Sequence, residues 1–378
     1  MGQKSKGFPL IFSAREKTPG SNFFNAPLIK PFFLGFAVIA ALFSAFCTQV
    51  NGQAGGNNTW EFLNLTSSAR IASLGGKNVS INDGDLNLVF HNPALLDSTM
   101  NNHLVLNYVN YFAGIHYGYA SWAYHHNYLG SFAAGINYIN YGTFTGADNS
   151  GQITGDFTAS ENSLNLSWSI DIERLFSIGV TAKSINSSFE QYKAFGMAVD
   201  AGINYHNPEQ LLSASLVMKN LGTQLSAWYP GGEREPLPFE LQMGITRQLA
   251  HAPFRFSLLL QHLQDFNLDG DKSAPEENSE THSSFLPKAE SLGNELLRHL
   301  IVGVELIPVR SFSLHAGYNN LRRHELKIPE RVSTVGFSWG FGVRVNKFRI
   351  NFGQARYHLA GSSSHFSVTT NLSSFYTR

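Results

Sequence analysis

FGMAVDAGINYH, Phe195 to His206, decides the fold. Successive side chains of an extended chain point to opposite faces, so Phe195, Met197, Val199, Ala201, Ile203 and Tyr205 share one face. Gly196, Ala198, Asp200, Gly202, Asn204 and His206 share the other. One face is apolar and the other polar or small. The same period of two returns in SLNLSWSI, where Leu164, Leu166, Trp168 and Ile170 oppose Ser163, Asn165, Ser167 and Ser169. It recurs with Phe312, Leu314, Ala316 and Tyr318 against Ser313, His315, Gly317 and Asn319, and again from Val335 to Arg344. Soluble sandwiches also alternate, so the pattern by itself does not name a membrane.

Segment count and loop length decide further. About fourteen such segments lie near residues 103–112, 114–125, 130–141, 157–169, 174–187, 190–205, 211–219, 237–249, 253–263, 297–307, 311–319, 334–344, 347–358 and 364–372. If the first rises from the periplasm, every connection at one end is tight, from Asn127–Leu129 to Val345–Asn346. The long connections, Gly142–Asp156, Asn220–Pro236, Gln264–Leu296 and Asn320–Ser333, all fall at the other end. That sorting matches outer-membrane barrels, with short periplasmic turns and longer extracellular loops. The expected fold is an all-β transmembrane antiparallel barrel of about 14 strands over residues 103–378, monomeric, with both termini in the periplasm. Tyr117, Tyr119, Trp122, Tyr138, Tyr141 and Tyr357 are candidates for its interfacial girdles.

Composition agrees. Only 14% of residues are charged, against roughly a quarter in typical soluble domains, and the formal net charge is zero. A nucleic-acid partner would call for a basic patch or stripe, for which this balance gives no reason. The single cysteine, Cys47, lies in the apolar run PFFLGFAVIAALFSAFC, Pro31 to Cys47, which falls short of the roughly 20 residues of a spanning helix. It reads as a secretory signal cleaved after Ala54, since Gly52 and Ala54 supply the small residues around Gln53. A lipoprotein signal at Cys47 is the rival, weakened by Phe46. The expected division is a signal peptide with a long n-region at 1–54, an N-terminal segment at 55–102, and the barrel thereafter.

Residues 55–102 are too many for a simple leader. They contain the turn signals LGG at Leu74–Gly76 and NDGD at Asn82–Asp85, then LNLVFHNPALLDS from Leu86 to Ser98. Pro93 lacks a donor and pushes Asn92 out of helical geometry, so this stretch is neither a regular helix nor a central strand. The expectation is a plug folded into the lumen from the periplasmic side, with Pro93 fixing an irregular, extended path. A soluble periplasmic arm is the alternative.

The succession WEFLNLTSSARIASLGGKNVSINDGDLNLVFHNPALL, Trp60 to Leu96, followed by NYVNYFAGI from Asn107 and INYINYGTFTGAD from Ile136, resembles the PorQ family of type IX secretion system proteins. REPLPFELQMGITRQLAHAPFRFSL from Arg234 and VGFSWGFGVRVNKFRINFGQARYHLAG from Val335 extend the likeness over nearly all of the mature chain. The resemblance implies a barrel related to FadL long-chain fatty-acid transporters and to PorV, with Asn92, Pro93 and Ala94 matching the Asn-Pro-Ala element of their hatch. It further implies a membrane anchor for the cell-surface attachment complex, with PorZ as surface partner and PorU and PorV in the same complex. That machinery processes secreted proteins and attaches them to lipopolysaccharide. The other functional class is a FadL-like transporter of hydrophobic small molecules, against which polar rows such as Ser163, Asn165, Ser167 and Ser169 speak. Trp228, Tyr229 and Arg234 are the candidate partner-binding residues, in the loop before the eighth segment.

Three motifs invite sharper chemistry. DFNLDGDKSAPE places Asp265, Asn267, Asp269, Gly270 and Glu276 in the register of a calcium loop. Without flanking helices, with Lys272 at an apolar position and Pro275 stiffening the end, a solvated acidic loop is preferred to calcium. GFSWG, Gly336 to Gly340, matches a nucleophile-elbow string, yet Ser338 sits inside a strand rather than on a strained strand-to-helix turn. Its glycines read as room for close packing inside a barrel, and no Ser/His/acid set supports an enzyme. His125 and His126 are adjacent in a strand and point to opposite faces, so they make no metal pair.

Overall fold

The computed structural model describes residues 58–265, 296–326, 334–358 and 361–376. The signal segment and the calcium-loop positions Asn267, Asp269 and Glu276 lie outside the described residues, as does the side chain of Tyr357. Among the described residues, no helix is long and apolar enough to cross a membrane.

Fourteen antiparallel strands close into one barrel. They are β1 His103–Asn110, β2 His116–His126, β3 Gly130–Ala147, β4 Ile153–Glu173, β5 Phe176–Phe189, β6 Tyr192–Asn207 and β7 Leu212–Ser226. The second half comprises β8 Glu240–Gln248, β9 Phe254–Leu260, β10 Leu300–Val309, β11 Phe312–Asn319, β12 Phe337–Val345, β13 Phe348–His358 and β14 Gly361–Asn371. Each strand pairs with its sequence neighbours, and β1 meets β14 in a continuous register from His103↔Asn371 to Asn110↔Ser364. No strand edge is left open, as a hydrocarbon surround demands of backbone N–H and C=O groups.

The burial pattern settles which way the two faces point. In β6 the apolar row is outside, with Met197 at 52% and Ile203 at 44% exposure, while Asp200 and Asn204 are each 1% exposed. A sandwich would bury the apolar row; here the polar row is buried. Strands β4 and β12 repeat the inversion, with Leu164, Leu166, Phe337 and Trp339 outside and Ser163, Asn165 and Ser338 inside. An apolar exterior around a closed ladder with a polar interior is the architecture of an outer-membrane β-barrel.

Strand length adds a feature. A tilted strand needs about 9–11 residues to cross the bilayer, yet β3 has 18 and β4 has 21. The expected loop from Gly142 to Asp156 is therefore mostly ladder: after a register shift between Asn140 and Thr143, pairing resumes from Thr143↔Thr158 to Ala147↔Ile153. This hairpin projects past the membrane, with the Phe144 and Phe157 rings stacked 5.4 Å apart. Strand β7 likewise continues to Ser226, shortening the expected Asn220–Pro236 loop.

The girdle candidates divide. Trp122 and Tyr138 face outward at 41% and 44% exposure. Tyr117 and Tyr119 instead occupy the inward parity of β2, at 3% and 5%, and Tyr141 turns its hydroxyl to Glu161 at the rim. Strand parity, not aromatic character, sets the side on which each ring lies.

The inverted faces yield a test. Leu164→Arg, at mid-strand on the apolar exterior, is expected to cost roughly 2–4 kcal/mol of folding stability in vesicles. The same change at Ile153, on the projecting hairpin, is expected to cost under about 1 kcal/mol, both read from denaturant midpoints.

Candidate functional site

Residues 58–102 share the lumen with the inward faces of the strands. Their first described stretch lies at the end of the long loops: the Thr59 N–H donates to the Pro236 carbonyl, and the Trp60 ring covers Gly196. Residues 97–102 lie at the short-turn end, where the Asn102 N–H donates to the Ala123 carbonyl. The segment thus runs down the barrel before entering β1. The C-terminal helix Ser373–Tyr376 also sits at the short-turn end, tied by Asn102 Nδ2 to Ser373 Oγ at 2.9 Å. Asn58–Trp60 and the helix Ser373–Tyr376 therefore lie at opposite ends of the barrel.

Local sequence explains the path. Ser68 caps the short helix Ala69–Ser73 by accepting the Ile71 N–H, and Gly75 and Gly76, both at positive φ, end it. Asp85 caps a 3-10 turn over Leu86–Phe90, which packs Leu86, Val89 and Phe90 with Leu96, Met100 and Val105. Asn92 is extended, at φ −149° and ψ 108°, as a residue before proline should be. Pro93–Leu95 then forms a 3-10 turn with proline at its start, where an extended path was expected; the missing proline N–H costs nothing there.

The Asn-Pro-Ala triplet is held on both sides. Asn92 Nδ2 donates to the Val79 carbonyl at 2.8 Å, its Oδ1 accepts the Ala94 N–H at 2.9 Å, and the Ala94 carbonyl accepts the Ser177 hydroxyl at 2.7 Å. The Pro93 carbonyl lies directly on Gly179 of β5, where any Cβ would collide with it. Gly353 of β13 receives the Ala69 carbonyl in the same way. Ser338, in the elbow-like string, accepts the Gly75 N–H at 3.0 Å and donates to the Ser73 carbonyl at 3.0 Å. Its hydroxyl is a fastener for the segment, and neighbouring Gly340 makes room for Ser73.

A buried charge cluster anchors the middle. Arg70 Nε donates to Glu305 of β10 at 2.8 Å, while its terminal nitrogens reach Asp83 at 2.7 Å and Asp85 at 3.0 Å. Arg255 of β9 closes the ring, with Asp83 at 2.7 Å and Glu305 at 3.0 Å. Burial by itself raises the Asp83 carboxyl; attraction to Arg70 and then Arg255 more than reverses this and holds it well below the ordinary 3.8. A second tie joins Lys77 to Glu240 of β8 at 2.7 Å, and Lys183 pairs with Asp200 within the wall at 2.7 Å. Higher up, Trp60 Nε1 donates to Ser187 Oγ at 2.6 Å, and Ser187 and Tyr141 both donate to Glu161.

At the long-loop rim, Trp228 packs edge-on against Phe189, with ring centroids 5.2 Å apart, and beside the apolar group that includes Trp60. Tyr229 is 58% exposed and Arg234 is also exposed. Asp265 stands at the described end of the β9 loop, its N–H bonded to the His262 carbonyl. His125 bonds Ser131, whereas His126 Nδ1 accepts the N–H groups of Tyr128 and Leu129 and so braces a short turn. No group of three or more metal-ligating side chains occurs among the described residues. The Arg70 cluster was not legible in advance. Its only sequence signal is the rarity of charge in the chain, which makes Arg70, Asp83 and Asp85 conspicuous.

No protein-family model matches this chain, and no curated protein matches it. Among solved structures, it is similar to the Ralstonia pickettii toluene transporter TbuX, at 12% identity over 81% of this chain and 97% of that one, with a TM-score of 0.47. The Pseudomonas putida toluene transporter TodX gives 13% identity, 81% and 96% coverage, and 0.46. A Pseudomonas aeruginosa FadL homologue gives 12%, 81%, 98% and 0.46. These likenesses are loose, and the barrel assignment stands on this chain's own ladder and burial.

Arg70→Leu leaves Glu305 and Asp85 buried without their main partner, and removing one side of a buried pair costs about 3–5 kcal/mol. We expect intact insertion but a lower unfolding midpoint and faster protease cleavage between residues 58 and 102. The pH response has a definite sign. Because the folded Asp83 carboxyl lies below its unfolded value of 3.8, its contribution is complete above that value and is lost as pH falls through the lower folded one. Amide protection factors in the segment, which correct for intrinsic exchange, should show a loss below about pH 4 that Asp83→Asn removes.

Proposed function

We propose that the chain is a non-enzymatic outer-membrane component of type IX secretion, anchoring the cell-surface attachment complex in which PorZ is the surface partner and PorU and PorV also act. The observation that carries this reading is the filled lumen. A segment held through Arg70 to β10, Lys77 to β8, Ala94 to β5 and Ser73 with Gly75 to β12 leaves a barrel suited to holding rather than conducting. A cavity of about 650 Å³ at the short-turn end sets Asp83, Asp97, Asp171, Glu173 and Arg174 beside Leu95, Leu175 and Phe176, so a greasy molecule there would also meet charge. The resemblance of the N-terminal block supplies the identity of the partners. The projecting β3–β4 hairpin and the Trp228–Arg234 turn supply surface for them, with Trp228 seated in the wall and Tyr229 offered to solvent.

The test is a pull-down from native membranes. Tyr229→Ala with Arg234→Ala is expected to lower recovered surface partner at least about tenfold, as loss of an interface hot spot does, with barrel abundance unchanged. Full retention would count against the anchor. In cells lacking the protein, a defect in uptake of hydrophobic compounds with surface attachment preserved would instead establish the transporter.

A further inference from the structure

At the short-turn end, β12 and β13 place Arg344 directly opposite Arg349 in register. Like charges so placed repel, and a sheet gains nothing from the pairing itself. Arg310, in the turn between β10 and β11, lines the same small cavity as these two residues, and the Arg344 N–H donates to the Ser311 carbonyl at 2.8 Å, tying the two turns together. The cavity holds about 60 Å³, where about 10–15 Å³ suffices for one water. It fits one small group.

The neighbouring acids are already committed. Asp83 and Glu305 each accept from Arg70 and Arg255, and Asp85 accepts from Arg70. Five guanidinium groups therefore face three carboxylates. No carboxylate among the described residues lies within ion-pair distance of Arg310, Arg344 or Arg349. His315 approaches Glu305 at 3.5 Å and hydrogen-bonds Ser313, so it adds no anion. Asn351, 1% exposed, lines the cavity with its Nδ2 donor unpartnered. A buried amide donor without an acceptor is costly, and here it stands beside three guanidinium groups, of which Arg349 is also drawn toward Asp83.

We propose that this cavity is an oxyanion site for a phosphate group, gripped by Arg310, Arg344 and Arg349 and completed by the Asn351 amide. Guanidinium forks match phosphate oxygens in geometry as well as charge. The pocket offers donors where the missing partner must be an acceptor, and it lies at the short-turn end, the side expected to face the periplasm. Phosphate can arrive there from a lipid headgroup or from a soluble molecule.

Two arms separate the sources. Purified barrel in neutral detergent is titrated calorimetrically with inorganic phosphate, and barrel in nanodiscs of mixed phosphatidylglycerol and phosphatidylcholine is analysed for retained lipid by native mass spectrometry. The expected result is saturable phosphate binding, selective phosphatidylglycerol retention, or both. The double substitution R344Q with R349Q should weaken it at least tenfold, and R349K, which keeps charge but loses the fork, should weaken it less. Binding in neither arm, or binding undiminished in the double variant while its gel mobility still shifts on heating, overturns the proposal. If the double variant fails to fold, R310Q carries the same test from an exposed turn.

Discussion

Everything in this molecule follows from the pairing of β1 with β14. Lipid offers no hydrogen-bond partner, so the sheet is tolerated there only once its two edges satisfy each other. Eight register pairs, His103↔Asn371 through Asn110↔Ser364, do this. Closure fixes which side of every strand is outside, and the alternating sequence then acquires its meaning. Met197, Leu164 and Trp339 meet hydrocarbon, whereas Asp200, Ser163 and Ser338 are enclosed.

Enclosure creates a second requirement. A polar interior must be filled by water or by groups that answer its donors and acceptors. Residues 58–102 answer them with both backbone and side chain: the Gly75 N–H and the Ser73 carbonyl meet Ser338, the Ala94 carbonyl meets Ser177, and the Ala69 N–H meets Ser367. Backbone comes this close because Gly179 and Gly353 present no side chain. The buried ions obey the same rule, since Arg70 is tolerable only with Asp83, Asp85 and Glu305 around it.

Much of the barrel was legible because period two is a local signal. The segment near 211–219 became β7 at Leu212–Ser226, and the one near 347–358 became β13 at Phe348–His358. The errors have physical causes. The β3–β4 hairpin continues beyond the bilayer, where alternation is no longer enforced, so Thr143–Ala147 reads as loop while pairing as strand. Tyr117 and Tyr119 were placed by residue type, but parity sends them inward, where the Tyr117 hydroxyl meets the Thr66 carbonyl. The luminal path resisted reading because its contacts span the chain: Arg70 meets Glu305, and Asn87 meets Thr369. Asn92 and Pro93 announced an irregular turn, but only the fold reveals that Gly179 and Gly202 form its seat.

A seal and a gate differ in what it takes to move them. Inverting a two-state equilibrium from 1:99 to 99:1 requires roughly 5.5 kcal/mol of differential binding. A ligand that displaced the segment would separate Arg70 from Glu305 and Asp83 from Arg255, since Asp83 and Asp85 travel with Arg70, and breaking a buried ion pair consumes about 3–5 kcal/mol. An apolar molecule brings no charge to replace those contacts, and it would meet Lys77 with Glu240 and then Ser338 with Gly75 on the same wall. Differential affinity of that size must come from a partner able to engage charged groups. Moving the segment therefore requires replacing ionic contacts as well as neutral hydrogen bonds.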